Sequence, residues 1–552
     1  MLSLSEVVEK YFTHFNGYKV RDDEAYKKHG FIDVKKLGAT GDGVTDDYPV
    51  IQNALDTFKN IYIPEGVYCL SDTLIMPDNS HIICDPLAHM VAKHTFKLVI
   101  NAKPDEQVGG GYNANSNITI DGGIWDMNYN EYKNTRCNFV FGHAHNITLK
   151  NITFVDTVHT HCVELAGCKD SIIENCYFKG FITPQTDNPE NTNTYVEAIQ
   201  LEPCHRNGFS YFGESDLTHC ENITVKNCIF DKNPERPESS FFFAVLGTHG
   251  TRYGVTPANN IFFENNIVMG CTFAGVRPYH WEQVHIVGNE FINCARAVML
   301  DGTPNAQTDT GGTDSQTGVA YTCKNIYVND NTFTNCNPCV WAYTRINDST
   351  VTKDWLENIH IHNNTAKKCG TFIYSLLSKK VEIIGNQFEG TDKTIIDMTD
   401  CVDTVINGNV FDNTSSNATN IRDLTVESGV TQNVSITNNI FKKINAHSVN
   451  IRSVKNVYVS SNIFDDCSKL ITETDSSYVV NVNNFVDGFM FTNNIIRHST
   501  RLLKGYARLT GIHNNALMIL NNRIENYDDY FLNSFTADPP ESVLFTANNI
   551  IS

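Results

Sequence analysis

The chain has 552 residues, 41% of them hydrophobic and 19% charged, and carries a formal charge of −20. That apolar content suffices for a long core, while the acidity argues against nucleic acid or an anionic membrane as a partner, since either needs a basic face. No run is long and apolar enough to span a bilayer.

Residues 1–29 read as a polar lead-in with Val7, Val8, Tyr11 and Phe12 at helical spacing. The start has no basic stretch followed by an apolar one, so a cytoplasmic location is expected, with secretion or virion association left open. Residues 30–114 read as a capping module and first turns. There the glycine-rich run Gly38-Ala39-Thr40-Gly41-Asp42-Gly43-Val44-Thr45-Asp46-Asp47 leads into a helix near 46–57. Thr45 or Asp46 is its expected N-cap, and Val50, Ile51, Ala54 and Leu55 share one face. The strand Tyr62-Ile63-Pro64-Glu65-Gly66-Val67-Tyr68 follows. A helix there would cover strand edges and core at one end of a stack.

From about residue 115 a motif recurs: alternating aliphatics, one or two asparagines, then an apolar residue two or three positions on. Copies end at Phe178, Phe230, Phe291, Phe333, Phe388, Phe411, Phe441 and Phe464, and weaker ones at Ile495, Ile524 and Ile550. Where no loop intervenes the period is 23 residues, as from Phe388 to Phe411. A short fixed period with alternation inside each copy, and no amphipathic helix between copies, predicts an all-β, single-stranded parallel β-helix of about a dozen turns. Asparagine amides at the bends would bond from turn to turn. Of the seventeen cysteines, Cys176, Cys228, Cys294, Cys336, Cys369 and Cys467 fall in or just after the motif, which predicts small buried thiols stacked along the core rather than disulfides. Cys336-Asn337-Pro338-Cys339 is the sole CxxC, and no metal or cofactor is expected.

The Gly41-to-Asp47 segment, the helix after it and the Tyr62-to-Tyr68 segment together resemble the entry module of the pectate-lyase-like superfamily, which includes polygalacturonase-related glycoside hydrolases and tail-spike depolymerases. That resemblance implies a right-handed parallel β-helix acting on carbohydrate, with Asp42, Asp46 and Asp47 serving turn and cap rather than catalysis. Gly247-Thr248-His249-Gly250-Thr251 is similar to the glycine-flanked histidine of polygalacturonases, implying that His249 orients a carboxylate or binds substrate. The Asn-Thr-Asp, paired-Asp and Arg-Ile-Lys motifs of those enzymes are missing, which implies a different sugar.

Insertions at 179–196, 203–221, 231–241, 247–259, 302–322 and 345–355 flank one strand of successive turns within residues 115–370 and would wall a groove. Beyond 371 insertions shrink, and 371–552 reads as scaffold. Alternation turns Val163, Leu165, Ile199, Leu201, Val276, Val298 and Leu300 inward, and Glu164, Ala166, Gln200, Glu202, Arg277, Tyr279, Met299 and Asp301 into the groove. Glu164 and Glu202, on adjacent turns and offset by two residues, would have backbones roughly 8 Å apart. Two acids so placed suit the acid/base pair of a glycosidase. Glu197, at a bend, is a third acid or a turn residue.

Gln200, His161, His249, Arg277, Tyr279, His280 and Asp301 are the candidate substrate-binding residues, and His159 and His205 fall beside the same strands. Tyr211, Phe212, Tyr279, Trp281, Trp341 and Tyr343 supply flat rings in or beside the groove for stacking on pyranose faces, half of them serving as loop anchors. The expected function is a glycoside hydrolase acting on a poly- or oligosaccharide. The alternatives are a lyase or epimerase using Arg277 and Tyr279 on a uronate polymer, and a non-catalytic glycan-binding spike. A homo-oligomer, trimeric if spike-like, remains open.

Overall fold

The computed structural model describes residues 30–133, 138–182, 196–248, 252, 254–302, 317–343, 354–424, 430–469, 478–499, 503–508, 517–525, 532–538 and 544–551. They form a right-handed parallel β-helix in which each strand pairs in parallel with its counterpart one turn later. One column of paired residues runs through Ile61, Ile82, Ile120, Leu149, Ile173, Val225, Phe263, Ile286, Val328, Ile361, Ile383, Ile406, Ile436, Val459, Phe491, Ile519 and Thr546. With Ile32, which pairs with Ile61, the column counts eighteen stacked strands among the described residues, more than the dozen turns expected. The excess lies partly in the first turns, whose bends do not carry the asparagine motif.

The helix α1 spans Tyr48–Phe58 and buries Ile51, Ala54 and Leu55 against the strands Asn60–Ile63, Gly66–Leu70 and Leu74–Ile75. Asp47 occupies its N-cap without a side-chain capping bond. Instead the Asp47 carboxylate accepts from the Thr40 and Gly41 amides at 2.6 and 3.1 Å, while Asp46 accepts from the Tyr48 amide at 3.2 Å. Asp42 closes its own turn, accepting from the Val44 and Thr45 amides, and these bonds hold its carboxyl down to about 2. All three acids are thus committed to local backbone, which accounts for a glycine-rich acidic run ahead of a helix.

The repeat motif has two parts with separate physical causes. Its first position takes a positive φ, as at Asn265, Gly288, Asp330, Asn363, Gly385 and Gly408, a conformation that glycine, asparagine and aspartate reach most cheaply. The next position points inward and builds an amide ladder: Asn409 Nδ2 donates to Ile383 O at 2.8 Å and to Asn439 Oδ1 at 3.0 Å, while its Oδ1 accepts from Asn386 Nδ2 at 2.9 Å. The ladder runs from Asn266 to Asn549, and Cys228 and Cys176 stand in its place on the two preceding turns. Beside it Phe411, Phe441 and Phe464 stack at 4.7–4.9 Å between centroids, with Phe388 packed on Phe411 at a tilt. All sixteen described cysteines are unbridged and buried; Cys137 lies outside the described residues. No helix among the described residues is long and apolar enough to cross a membrane.

Candidate functional site

The strands Val163–Glu174, Glu197–Glu202, Ala244–Gly247, Ala274–Arg277 and Val298–Leu300 stack as five successive turns. Val163 pairs with Ile199 and Ala166 with Glu202, so Glu164 and Glu202 stand on adjacent turns offset by two residues. Val163, Leu165, Ile199, Leu201, Val276, Val298 and Leu300 lie in the core, leaving Glu164, Gln200, Glu202, Arg277, Met299 and Asp301 on the outer face.

Alternation fails at the start of the second strand. Ala198 and Ile199 are consecutive and both join the core, which turns Glu197 to the outer face. Its Oε1 lies 3.6 Å from Arg277 Nη1 and its Oε2 lies 3.5 Å from His161 Nδ1. A Cβ on Gly247 would come within 3.0 Å of the Glu197 Cγ, so the glycine gives this carboxylate its room.

The acids do not stand in open solvent. Glu164, Glu197 and Glu202 are 3%, 1% and 1% exposed. Glu202 is covered by the segment 203–219, whose Cys204, Phe209 and Phe212 pack with Val140 and Ala166. Phe209 presses so closely on the neighbouring strand that a Cβ on Gly142 would fall 2.1 Å from its ring. His205 Nε2 lies 2.8 Å from Glu202 Oε1, and Gln200 Nε2 donates to Glu202 Oε2 at 3.3 Å. The insertion expected as a groove wall therefore folds over as a lid on this end of the strand face, because its aromatic residues have apolar outer-face partners to cover.

Arg277 organises the other end. Its Nη1 donates to Thr248 O at 3.1 Å, its Nη2 lies 3.3 Å from Asp301 Oδ2, and its guanidinium sits 4.9 Å over the Tyr279 ring. Tyr279 is bridged in register to Asp301, whose Oδ1 accepts from the Gly302 amide. His280 stacks on Tyr321 at 4.3 Å, and burial, with Lys324 nearby, pushes its pKa down to about 3. It is neutral at ordinary pH and cannot act as a cation for a substrate. His161 Nδ1 also lies 3.2 Å from Glu197 O, while His249 lies outside the described residues.

Among the aromatics, Trp281 is buried in the core, where its Nε1 donates to Thr248 Oγ1 at 2.8 Å. It is not a stacking platform; the sequence places it just after the outer-face strand, but the chain has already turned inward. The half-buried platform includes residues that alternation did not single out. Phe243 and Phe273 stack at 4.6 Å, and Arg296 lies over both Phe273 and Trp341 at 5.1 and 4.9 Å. Trp341 in turn stacks on Tyr374 at 4.7 Å. A signal for these existed in the recurring pairs Phe243-Ala244, Phe273-Ala274 and Arg296-Ala297 at successive strand starts. Two triads among the described residues have metal-ligating geometry, His143 with Cys204 and Asp216, and His360 with His362 and Glu382. Neither contains a candidate catalytic acid.

Residues 31–230 match the model of the rhamnogalacturonase A/epimerase, pectate lyase-like family, a carbohydrate-related β-helix family. The chain is 29% identical over 283 residues to the plasmin and fibronectin-binding protein A of Streptococcus pneumoniae, a match spanning 47% of this chain and 39% of that protein. It is 25% identical over 251 residues to the preneck appendage protein of Bacillus phage PZA, covering 41% of this chain and 26% of that one. The chain thus spans well under half the length of these curated relatives. The crystal structure of PfbA, a surface adhesin of Streptococcus pneumoniae, superposes with a TM-score of 0.54 at 22% identity, over 77% of this chain and 93% of that chain, and shares the fold.

Proposed function

We propose that the chain is a glycoside hydrolase that takes a poly- or oligosaccharide across the outer face of these five turns. The observation that carries the reading is the set of buried carboxylates Glu164, Glu197 and Glu202 on two adjacent turns, in contact with His161, His205 and Arg277. Hydrolysis of a glycosidic bond needs one carboxyl that holds a proton for the leaving oxygen and one that is ionised to activate water or attack the sugar. Glu197, in contact with the Arg277 guanidinium, is assigned the base or nucleophile, and Glu164 or Glu202 the proton donor. Asp301 holds the Arg277 guanidinium from behind, Tyr279 is placed to orient sugar hydroxyls, and the half-buried edges of Trp341 and Phe273 border the same face. The test is a glycan panel read by reducing-end release, wild type against Glu164→Gln, Glu197→Gln and Glu202→Gln; cleavage that survives in all three variants sinks the assignment.

One specific contact favours a second reading. Arg277 over the Tyr279 ring would stabilise a phenolate able to take the proton α to a uronate carboxyl, the first step of a lyase or a C5 epimerase. A product absorbing in the near ultraviolet, or inverted uronate without chain cleavage, would move the assignment there. Glycan binding unaffected by all three Gln variants and without turnover would point to recognition alone.

A further inference from the structure

Away from the catalytic face, a second outer face carries a ladder of flat rings, Phe262, His285, Tyr327 and His360, each pair stacked at 4.7–4.9 Å. The ladder ends where Glu382 follows His360 in register on the next turn. His362, two residues along the same strand, faces the same way. His360 Nδ1 lies 2.8 Å from Glu382 Oε2, and His362 Nε2 lies 3.2 Å from that same oxygen.

The tautomer of His360 is fixed by the fold. Asn358 Nδ2 donates to Asn325 Oδ1 at 2.6 Å in a turn-to-turn ladder, so Asn358 presents its carbonyl oxygen, not its amino group, to His360. That oxygen lies 3.0 Å from His360 Nε2, which must therefore carry the proton. In the neutral ring, Nδ1 is then a bare lone pair aimed at a carboxylate oxygen, a contact that only a proton or a metal cation between them makes favourable. His362 Nε2 is also buried, and the Glu382 carboxylate oxygen at 3.2 Å is the polar atom it faces. Two imidazole nitrogens and one carboxylate converge, all three ligand atoms within 4.8 Å of one another. Bonds of about 2.0–2.2 Å to a tetrahedral zinc put ligand atoms roughly 3.3 Å apart; the His362–Glu382 separation of 3.2 Å already matches, and the His360–Glu382 separation of 2.8 Å needs only a small side-chain adjustment.

We propose that His360, His362 and Glu382 bind a divalent transition-metal ion of the zinc class, with solvent completing the coordination. The rigid strands set the nitrogens, Asn358 fixes one tautomer from behind, and Tyr327 holds the ring plane, the kind of support that orients metal-ligating histidines. Glu382 is 41% exposed in its side chain, so the ion has an entry path. The other triad is the weaker candidate, because Asp216 already accepts from the Gly111 amide and from both the amide and hydroxyl of Thr218.

The test is titration of the chelator-treated full chain with zinc, followed by calorimetry, and with cobalt, followed by visible absorption. The wild type should bind one zinc at this site, with the cobalt form showing the ligand-field bands of a four-coordinate site. His362→Gln and Glu382→Gln should each weaken zinc at least tenfold and abolish the cobalt bands, while their circular dichroism and metal-free melting match the wild type. Binding should also weaken as pH falls and imidazole is protonated. Absence of zinc binding in the wild type, or equal binding by both variants, overturns the proposal and leaves a plain ion pair.

Discussion

Arg277 and Asp301 face each other across neighbouring turns at 3.3 Å, the guanidinium 5% and the carboxylate 0% exposed in their side chains. Charges this deeply placed are tolerated only in company, and truncating one partner leaves the other in a medium that solvates it poorly.

Arg277→Ala should therefore cost about 3–5 kcal/mol of stability at neutral pH. Guanidinium titration followed by circular dichroism would show it as a lower midpoint. Arg277→Lys, which keeps the charge but not the planar fork, should fall between that variant and the wild type.

Whichever of Glu164→Gln and Glu202→Gln removes the acid should cut turnover about 10²-fold or more, because proton transfer is lost while shape is kept, and the other should cost less. Glu197→Gln, which removes the ionised partner, should cost at least as much. Initial rates at saturating substrate, with melting temperatures alongside, separate lost chemistry from lost fold.

Asn409 makes and receives amide bonds on both sides in the interior. Asn409→Leu should cost about 1–3 kcal/mol for each backbone or amide group left unpaired. A denaturation series on this variant against the wild type tests the ladder directly.

Asp231 supplies a pH dependence. Burial raises its carboxyl from 3.8 to about 6 in the folded chain, so folding is favoured when the group is protonated. The sign follows: below about pH 4 both folded and unfolded chains hold the proton and there is no penalty, and as pH rises through 6 roughly 3 kcal/mol of stability is lost. Asp231→Asn should be more stable than the wild type at pH 8 and indistinguishable from it near pH 3.5.

The repeat was legible because every turn solves the same problem. The positive-φ position accepts only a few residue types cheaply, and the inward amide must find a partner on each side, so the two leave adjacent marks at Gly385-Asn386, Gly408-Asn409 and Asn438-Asn439. The direction of Glu164 and Glu202 was legible for the same reason, since period-two alternation holds wherever the strand is regular. It broke at Ala198 and Ile199, where the chain enters the strand from a bend and turns two residues inward in succession, and that bend is what presents Glu197. What covers the site was not legible at all: alternation gives the direction of a side chain but not the path of an insertion, and the packing of Phe209 on Gly142 joins residues far apart in the sequence. The ring ladder from Phe262 to His360 escaped notice because its members are chemically unlike and share only a register.

From Phe388 to Phe464 each turn holds to its neighbours through an amide pair, a packed ring and a strip of backbone bonds, whereas the earlier turns are also tied across a turn, as Glu197 is to Arg277 and Phe209 to Gly142. Pulled from its ends, the C-terminal part of such a stack should yield in steps rather than in one event. A turn of the 23-residue period seen between Phe388 and Phe411 would release about 80 Å of chain at full extension. Turns carrying the large insertions would give longer, irregular steps. A force-extension trace would thus read the spacing of the turns directly, and a sawtooth with a single large tooth would mean that the turns are coupled over a longer range than their contacts allow.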